Sequence, residues 1–421
     1  MSAEELERVV STLISCLPVS EKSIALHEPT FVGNEWAYVK DCLDTGWVSY
    51  LGPYVDQFER QLADYTGVKH AIAIVNGTAA LHLALNVVGV RAEDEVILPA
   101  LTFVATANAV VYCNAEPHFV DSSLNTLGLD PIALRNHLRN IATRRDGATY
   151  NRLTGRRIGA VIAVHIYGHP VDLDELVAVC QEFGLPLVED AAESLGSYYK
   201  GVHTGNHGQC SALSFNGNKV ITTGGGGAIL TNDSELAQKL RHLSTTAKTP
   251  HRWEFNHDVI GFNYRLPNVN AAIGCAQMEQ IEPRLRNKRE LANRYAQAFE
   301  SSETVSVFRE PSFAQSNYWL NVLLLKPGSE HLKEPVLEAT HNRKIFTRPT
   351  WTLLHRLPMY DECPRAELPV AEDIARRLIN VPSSPQLVAS EDFAPATLAL
   401  AGSMPVEATR PRPVQLLGPS K

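Results

Sequence analysis

The sequence predicts an α/β protein: a large domain with a mostly parallel sheet sandwiched by helices, followed by a smaller α+β C-terminal domain. Three observations lead there. From about residue 65 to 245, short β-rich runs alternate with segments of helical spacing, the order that builds a parallel sheet covered on both faces. The chain has 421 residues, enough for two or three structural units. Its 44% hydrophobic and 20% charged residues match ordinary globular usage, which excludes a disordered chain.

Taken in order, residues 1–26 open on an acidic run where a secretory signal would be basic, and Leu6, Val9, Val10, Leu13 and Ile14 follow helical spacing. They predict an amphipathic helix. Residues 27–280 form the large domain, with strands expected at Ala71–Val75, Val96–Leu98, His118–Val120, Ile158–His165, Pro186–Glu189, Ser211–Phe215 and Ala228–Thr231. Helical spacing covers Ala79–Val88, Thr102–Tyr112, Asp130–Ala142 and Leu173–Phe183, the third opening on an Asp-Pro start. A charged helix from Glu279 to Glu300 leads into a smaller domain over residues 281–390, in which Tyr318–Leu325 reads as a strand. Residues 391–421 show no clear periodicity and are expected to form an irregular, mobile tail.

Composition excludes several functions. A formal net charge of -8 and the lack of a long basic run give no general attraction for nucleic acid. Seven cysteines are odd in number, scattered and never in a CxxC pair, which argues against a disulfide framework and a zinc site, and for a cytoplasmic setting. The most apolar stretch, Val96 to Cys113, is broken by Pro99, Thr102, Thr106 and Asn108, so it suits a buried strand, turn and helix better than a membrane span. No metal, membrane or nucleic-acid partner is expected.

Three motifs carry chemistry. Asn76-Gly77-Thr78-Ala79-Ala80-Leu81-His82 joins a buried strand to a helix, and an open helix end with glycine and a hydroxyl binds anions. An ordinary strand-to-helix turn would also explain it. Val188-Glu189-Asp190-Ala191-Ala192-Glu193 places acids at the carboxyl end of a buried strand, where α/β sheets bind ligands and a carboxylate can face a cationic ring nitrogen. A helix cap is the alternative. In Ser214-Phe-Asn-Gly-Asn-Lys219, a lysine lies between an apolar strand and the glycine run Gly224 to Gly227; a partly desolvated lysine can bond an aldehyde, and Ser214 can meet a phosphate. A loop lysine is the competing reading. Together they describe a phosphate cradle, a carboxylate for a pyridinium nitrogen and an amine for an aldehyde, which are the needs of pyridoxal phosphate.

With these phrases, and with Ala25-Leu-His-Glu-Pro, Trp47-Val-Ser-Tyr-Leu-Gly-Pro, Pro99-Ala-Leu-Thr-Phe-Val-Ala-Thr-Ala-Asn and Gly261-Phe-Asn-Tyr-Arg-Leu-Pro, residues from about 27 to 387 resemble the DegT/DnrJ/EryC1/StrS sugar aminotransferases. These lie within fold type I of the pyridoxal-phosphate-dependent transferases, and the likeness is greatest to the branch making 4-amino sugars for legionaminic acid and bacillosamine. The resemblance implies that Lys219 is catalytic, holding pyridoxal 5'-phosphate covalently and moving a proton, with pyridoxamine 5'-phosphate carrying the nitrogen between half-reactions. It further implies that Asp190 pairs with the ring nitrogen, Glu193 lies near the ring hydroxyl and Phe103 stacks on the ring. Gly77, Thr78, Ala79 and Ser214 would hold the phosphate. Asn263 would reach it from a neighbouring subunit, giving a homodimer with shared active sites. His165, Tyr318, Arg348, Trp351 and His355 are candidates for the sugar or its diphosphate, with burial in the small domain as the alternative for each.

The implied reaction moves nitrogen from L-glutamate to a UDP- or GDP-linked 4-keto-6-deoxy-N-acetylhexosamine. A 3-aminotransferase is a near alternative. So is a sugar dehydratase on the same scaffold, although similar dehydratases carry histidine where Lys219 stands. A DNA-binding regulator conflicts with the acidic charge and the lack of a helix-turn-helix segment, and a nicotinamide-dependent dehydrogenase with the absence of a G-x-G-x-x-G turn after a strand.

Overall fold

The structure is a computed structural model that describes residues 3–388. Its main sheet contains β1 (His70–Ile74), β2 (Glu95–Pro99), β3 (Glu116–Val120), β4 (Ile158–Val164), β5 (Leu187–Asp190), β6 (Cys210–Ser214) and β7 (Gly227–Thr231), in the order β1-β7-β6-β5-β4-β2-β3. Each lies within two residues of its expected span. Every residue of β2 and β4 is buried, as a strand covered on both faces requires.

Only β7 runs against its neighbours, pairing antiparallel with both β6 and β1. A parallel return needs a crossover of a dozen or more residues, usually helical, whereas the loop after Ser214 carries no helix, so β7 turns back beside β6. That loop holds Lys219.

Helices Gly77–Val87, Val104–Tyr112, Pro131–Ile141 and Leu173–Phe183 connect the strands. Asp130 caps the third by accepting from the amides of Ile132 and Ala133. Six further helices among the described residues were not foreseen: Ser234–Ser244, Lys333–Asn342 and Pro369–Arg377, and three that pack together, Glu35–Thr45, Pro53–Thr66 and Asn268–Met278. The last three are tied together by buried Asn268, whose Oδ1 accepts from Tyr54 N at 2.9 Å and whose Nδ2 donates to Trp47 O at 2.7 Å.

The smaller sheet contains β8 (Val305–Val307), β9 (Asn321–Leu325), β10 (Arg348–Pro349) and β11 (Leu378–Val381), in the antiparallel order β8-β9-β11-β10. The expected strand over Tyr318–Leu325 begins three residues later, and the expected long helix runs Ile281–Ala298. The N-terminal helix, Ala3–Ser15, shares a core with this sheet: Val9 and Leu13 pack with Leu291, Tyr295, Val305 and Leu325. Its amphipathic pattern is thus satisfied by burial against the C-terminal half of the chain.

Among the described residues, no helix is long and apolar enough to cross a membrane and no His/Cys/Asp/Glu group is placed to hold a metal. The seven cysteines are free thiols. The expected tail over 391–421 lies outside the described residues.

Candidate active site

A cavity of about 600 Å³ opens at the carboxyl ends of the main strands, where Val164 ends β4, Asp190 ends β5 and Ser214 ends β6. This is where α/β sheets place ligands. The smaller sheet contributes Arg348 and Asn380 to the wall, and Phe346 joins them from just before β10.

The first wall is a helix end. Asn76 precedes the helix Gly77–Val87 and its Oδ1 accepts from Ala79 N at 2.8 Å. Gly77 and Thr78 line the cavity with amides that the helix itself leaves unused. Ala79 does not line it, and its amide is already taken by Asn76. A Cβ on Gly77 would stand 2.9 Å from Ser214 Cβ, so glycine lets the helix end approach that hydroxyl. A Cβ on Gly227 would lie 2.6 Å from the backbone carbon of Asn76, so the glycine run brings β7 against the same turn.

Strand alternation sends the paired acids to opposite faces. Glu189 turns away from the cavity and accepts from His165 Nε2 at 3.0 Å and from the amides of Gly205, His207 and Gly208 at 2.7–2.8 Å. Burial works to raise its pKa, but the hydrogen bond from His165, with His207 and the Gly208 amide beside it, outweighs burial and holds the carboxyl at about 2. His165, a candidate for the sugar, is fully buried in this role and does not line the cavity.

Asp190 faces inward. It accepts from Thr106 Oγ1 at 2.7 Å and Ala192 N at 3.2 Å, and burial raises its pKa despite these bonds and the Lys219 charge. It is a carboxylate short of a cation.

Lys219 lies on the β6–β7 loop with its side chain 13% exposed, and Nζ donates to Glu193 Oε1 at 3.2 Å. The second oxygen of Glu193 accepts from Tyr167 N at 2.8 Å, and burial raises this carboxyl's pKa as well. Trp319, which sequence reasoning did not single out, lies beneath Lys219 with its ring centroid 3.8 Å from Nζ. No local signal marks it: it reads as one apolar residue of a strand.

Phe103 stands at the cavity wall, 48% exposed and 5.8 Å from Trp351. Of the remaining candidates, Arg348 and Trp351 line the cavity, whereas Tyr318 and His355 do not. Tyr318 is buried beside His169, and His355 Nε2 pairs with Glu372 Oε1 at 2.8 Å. Asn263 is exposed, bridges to Thr245 and lies outside the cavity of its own chain.

The cavity therefore joins an amine, a desolvated carboxylate, an anion cradle and a half-exposed aromatic face. The sequence profile of the DegT/DnrJ/EryC1/StrS aminotransferase family matches residues 30–394. The chain belongs to that family. This aminotransferase is 38% identical over 366 residues to a GDP-perosamine synthase of Escherichia coli O157:H7, covering 87% of the chain and 94% of the relative. It is 33% identical over 318 residues to a UDP-4-amino-4,6-dideoxy-N-acetyl-beta-L-altrosamine transaminase of Campylobacter jejuni, covering 74% and 79%. The aminotransferase TlmJ of Streptoalloteichus hindustanus superposes with a TM-score of 0.78 at 28% identity, covering 88% of this chain and 96% of that one.

The family is pyridoxal-phosphate-dependent. The residues present fit that cofactor on structural grounds: Asp190 lacks the cation a pyridinium would supply, the Gly77–Ser214 approach leaves two amides and a hydroxyl for a phosphate, and Phe103 offers an uncovered ring.

Proposed function

We propose that this aminotransferase carries nitrogen from L-glutamate to the C4 carbonyl of a nucleotide-linked 4-keto-6-deoxyhexose, for a bacterial surface glycan. The observation that carries the reading is the convergence of Lys219 and Asp190 on one cavity beside the open helix end at Gly77 and Thr78. Two relatives support the substrate class: one is named for a GDP-linked product, the other for a UDP-linked 4-amino-4,6-dideoxy sugar.

When bound, pyridoxal phosphate supplies an aldehyde for the transferred nitrogen and a protonated ring that takes up electron density as bonds at carbon change. The chain's residues do the rest. Gly77 N, Thr78 N and Ser214 Oγ hold the phosphate, with the helix end contributing its partial positive charge. Asp190 keeps the ring nitrogen protonated. Phe103 covers one face of the ring and excludes water from it. Lys219 Nζ holds the cofactor between turnovers, then carries the proton from the donor's α carbon in the first half-reaction and to the sugar's C4 in the second. Glu193 orients that amine through the 3.2 Å contact. Arg348, on the cavity wall, would meet the diphosphate.

Two copies share each site in this reading. Asn263 is exposed, and the adjoining loop presents Trp253, Phe255, Val259 and Ile260 to solvent, an apolar surface suited to a second copy. Asn263 would then complete the partner's phosphate site.

The test is to supply UDP- and GDP-linked 4-keto-6-deoxyhexoses, with and without a 2-acetamido group, together with L-glutamate, and to identify the product by mass and NMR. Borohydride should fix the cofactor on Lys219. Failure to label that residue in a cofactor-loaded sample overturns the proposal.

A further inference from the structure

We infer that His27 and Asn380 form the part of the cavity wall that binds the uncharged groups of the sugar, its hydroxyl or acetamido substituents, and thereby select which nucleotide sugar is accepted. This rests on the reaction proposed above.

Both side chains line the cavity, and both are more than nine-tenths buried: His27 is 8% exposed and Asn380 3%. Neither ring nitrogen of His27 has a hydrogen-bond partner among the described residues, and neither does Asn380 Oδ1. Buried polar atoms are almost always paired, because losing water without a replacement bond costs stability. Three such atoms on two side chains in one ligand cavity mark groups whose partner arrives with the ligand.

The backbone around them is fixed. Ile24 N donates to Lys344 O and Phe346 N to Ile24 O, each at 2.9 Å; Ser383 N donates to Leu26 O at 2.8 Å, and Glu28 N to Ser384 Oγ at 2.9 Å. These bonds fasten the segment bearing His27 to both ends of the small-sheet wall. Asn380 lies inside β11, in register with Arg348 on β10. A site carried on such elements holds its geometry before the ligand binds.

Charge decides what the ligand group is. Burial, followed by the charges of Lys288, Arg284 and Lys219, holds the His27 ring well below the usual imidazole range, so it is neutral and offers one N–H and one lone pair. A hydroxyl or an acetamido oxygen can accept from that N–H, and a hydroxyl or acetamido N–H can donate to Asn380 Oδ1. A diphosphate or a glutamate carboxylate calls instead for a cation, which Arg348 supplies on the same wall. The pair therefore serves the sugar half-reaction and not the donor half-reaction.

The experiment compares His27→Phe, His27→Gln and Asn380→Leu in steady-state kinetics and in single half-reactions followed by cofactor absorbance. With the nucleotide sugar that wild type aminates, His27→Phe and Asn380→Leu should raise its KM roughly ten-fold, while the glutamate half-reaction changes by less than about two-fold. His27→Gln, which keeps a donor and an acceptor, should recover most of the loss. Thermal unfolding of His27→Phe should be no lower than wild type, since an unpaired polar group has been removed. Equal slowing of both halves, or an unchanged sugar KM in both variants, overturns the assignment alone. A wild type that takes nitrogen from glutamate but aminates no nucleotide sugar overturns the proposed reaction, and this assignment with it.

Discussion

The amine of Lys219 lies over the indole of Trp319, 3.8 Å from the ring centroid, and the same indole donates its Nε1–H to the carbonyl of Asn218 at 2.7 Å. One side chain from the small-domain end of the chain thus supports both the amine and the loop that bears it. A cation over an aromatic face gains about 0.5–2 kcal/mol, and the hydrogen bond adds about 1 kcal/mol, enough to hold one lysine rotamer.

Replacing Trp319 by phenylalanine keeps a ring but removes the tie to Asn218. The turnover rate should fall roughly ten-fold while cofactor absorbance persists, because about 1.4 kcal/mol of positioning separates the two states. Unchanged turnover with an unchanged absorbance spectrum would show that the loop holds its geometry without the indole.

Asp190→Asn tests the carboxylate that lacks a cation. An amide cannot offset the ring charge, so turnover should fall roughly 10²–10³-fold, the usual scale for losing one buried electrostatic partner. Without cofactor the variant should unfold no earlier than wild type, since burial already works against the charged form of Asp190. Calorimetry with and without pyridoxal phosphate separates the two effects: wild type should gain more from the cofactor than the variant does.

Ile260 is 90% exposed on the loop that leads to Asn263. Sedimentation should give a particle twice the 46.3 kDa chain mass. A charge in an apolar interface is costly, so Ile260→Asp should shift the particle toward monomer and weaken cofactor retention together. Loss of the dimer with full cofactor affinity would remove Asn263 from the site.

Stability should also fall in mild acid. Burial lowers the pKa of His169 to about 3, against an ordinary value of 6.5. Between those values the unfolded chain binds the proton and the folded chain does not, so this group's contribution is complete above pH 6.5 and shrinks as pH falls. The loss from pH 6.5 to 5 is about 2 kcal/mol for this one ring. His137 and His203, both lowered to about 4 by burial, act in the same direction. Urea unfolding at pH 5 and 7 should show a shallower pH dependence in His169→Gln than in wild type; equal slopes would mean that the folded ring takes up its proton as readily as the unfolded one.

Much of the site was legible in the chain itself. The seven strands, the helix end at Gly77, the inward acid Asp190 and the loop lysine all lie where local patterns put them, because strand and helix periodicity and glycine punctuation act over a few residues. Six helices were not legible there. Asn268–Met278 lies at a junction whose order depends on one buried asparagine bonding the start of the helix Pro53–Thr66 and the Trp47 carbonyl, and no window of sequence contains that contact.

What the sequence by itself determined was the chemistry on offer: an amine, a carboxylate and an anion cradle at the carboxyl ends of strands. Which of two adjacent acids serves the cavity and which is consumed by His165 was a matter of strand faces and packed loops. That Trp319, His27 and Asn380 share a wall with Lys219 was decided only by tertiary structure. They are separated by up to hundreds of residues along the chain, and only the docking of the small sheet against the large one, driven by shared apolar burial, brings them together.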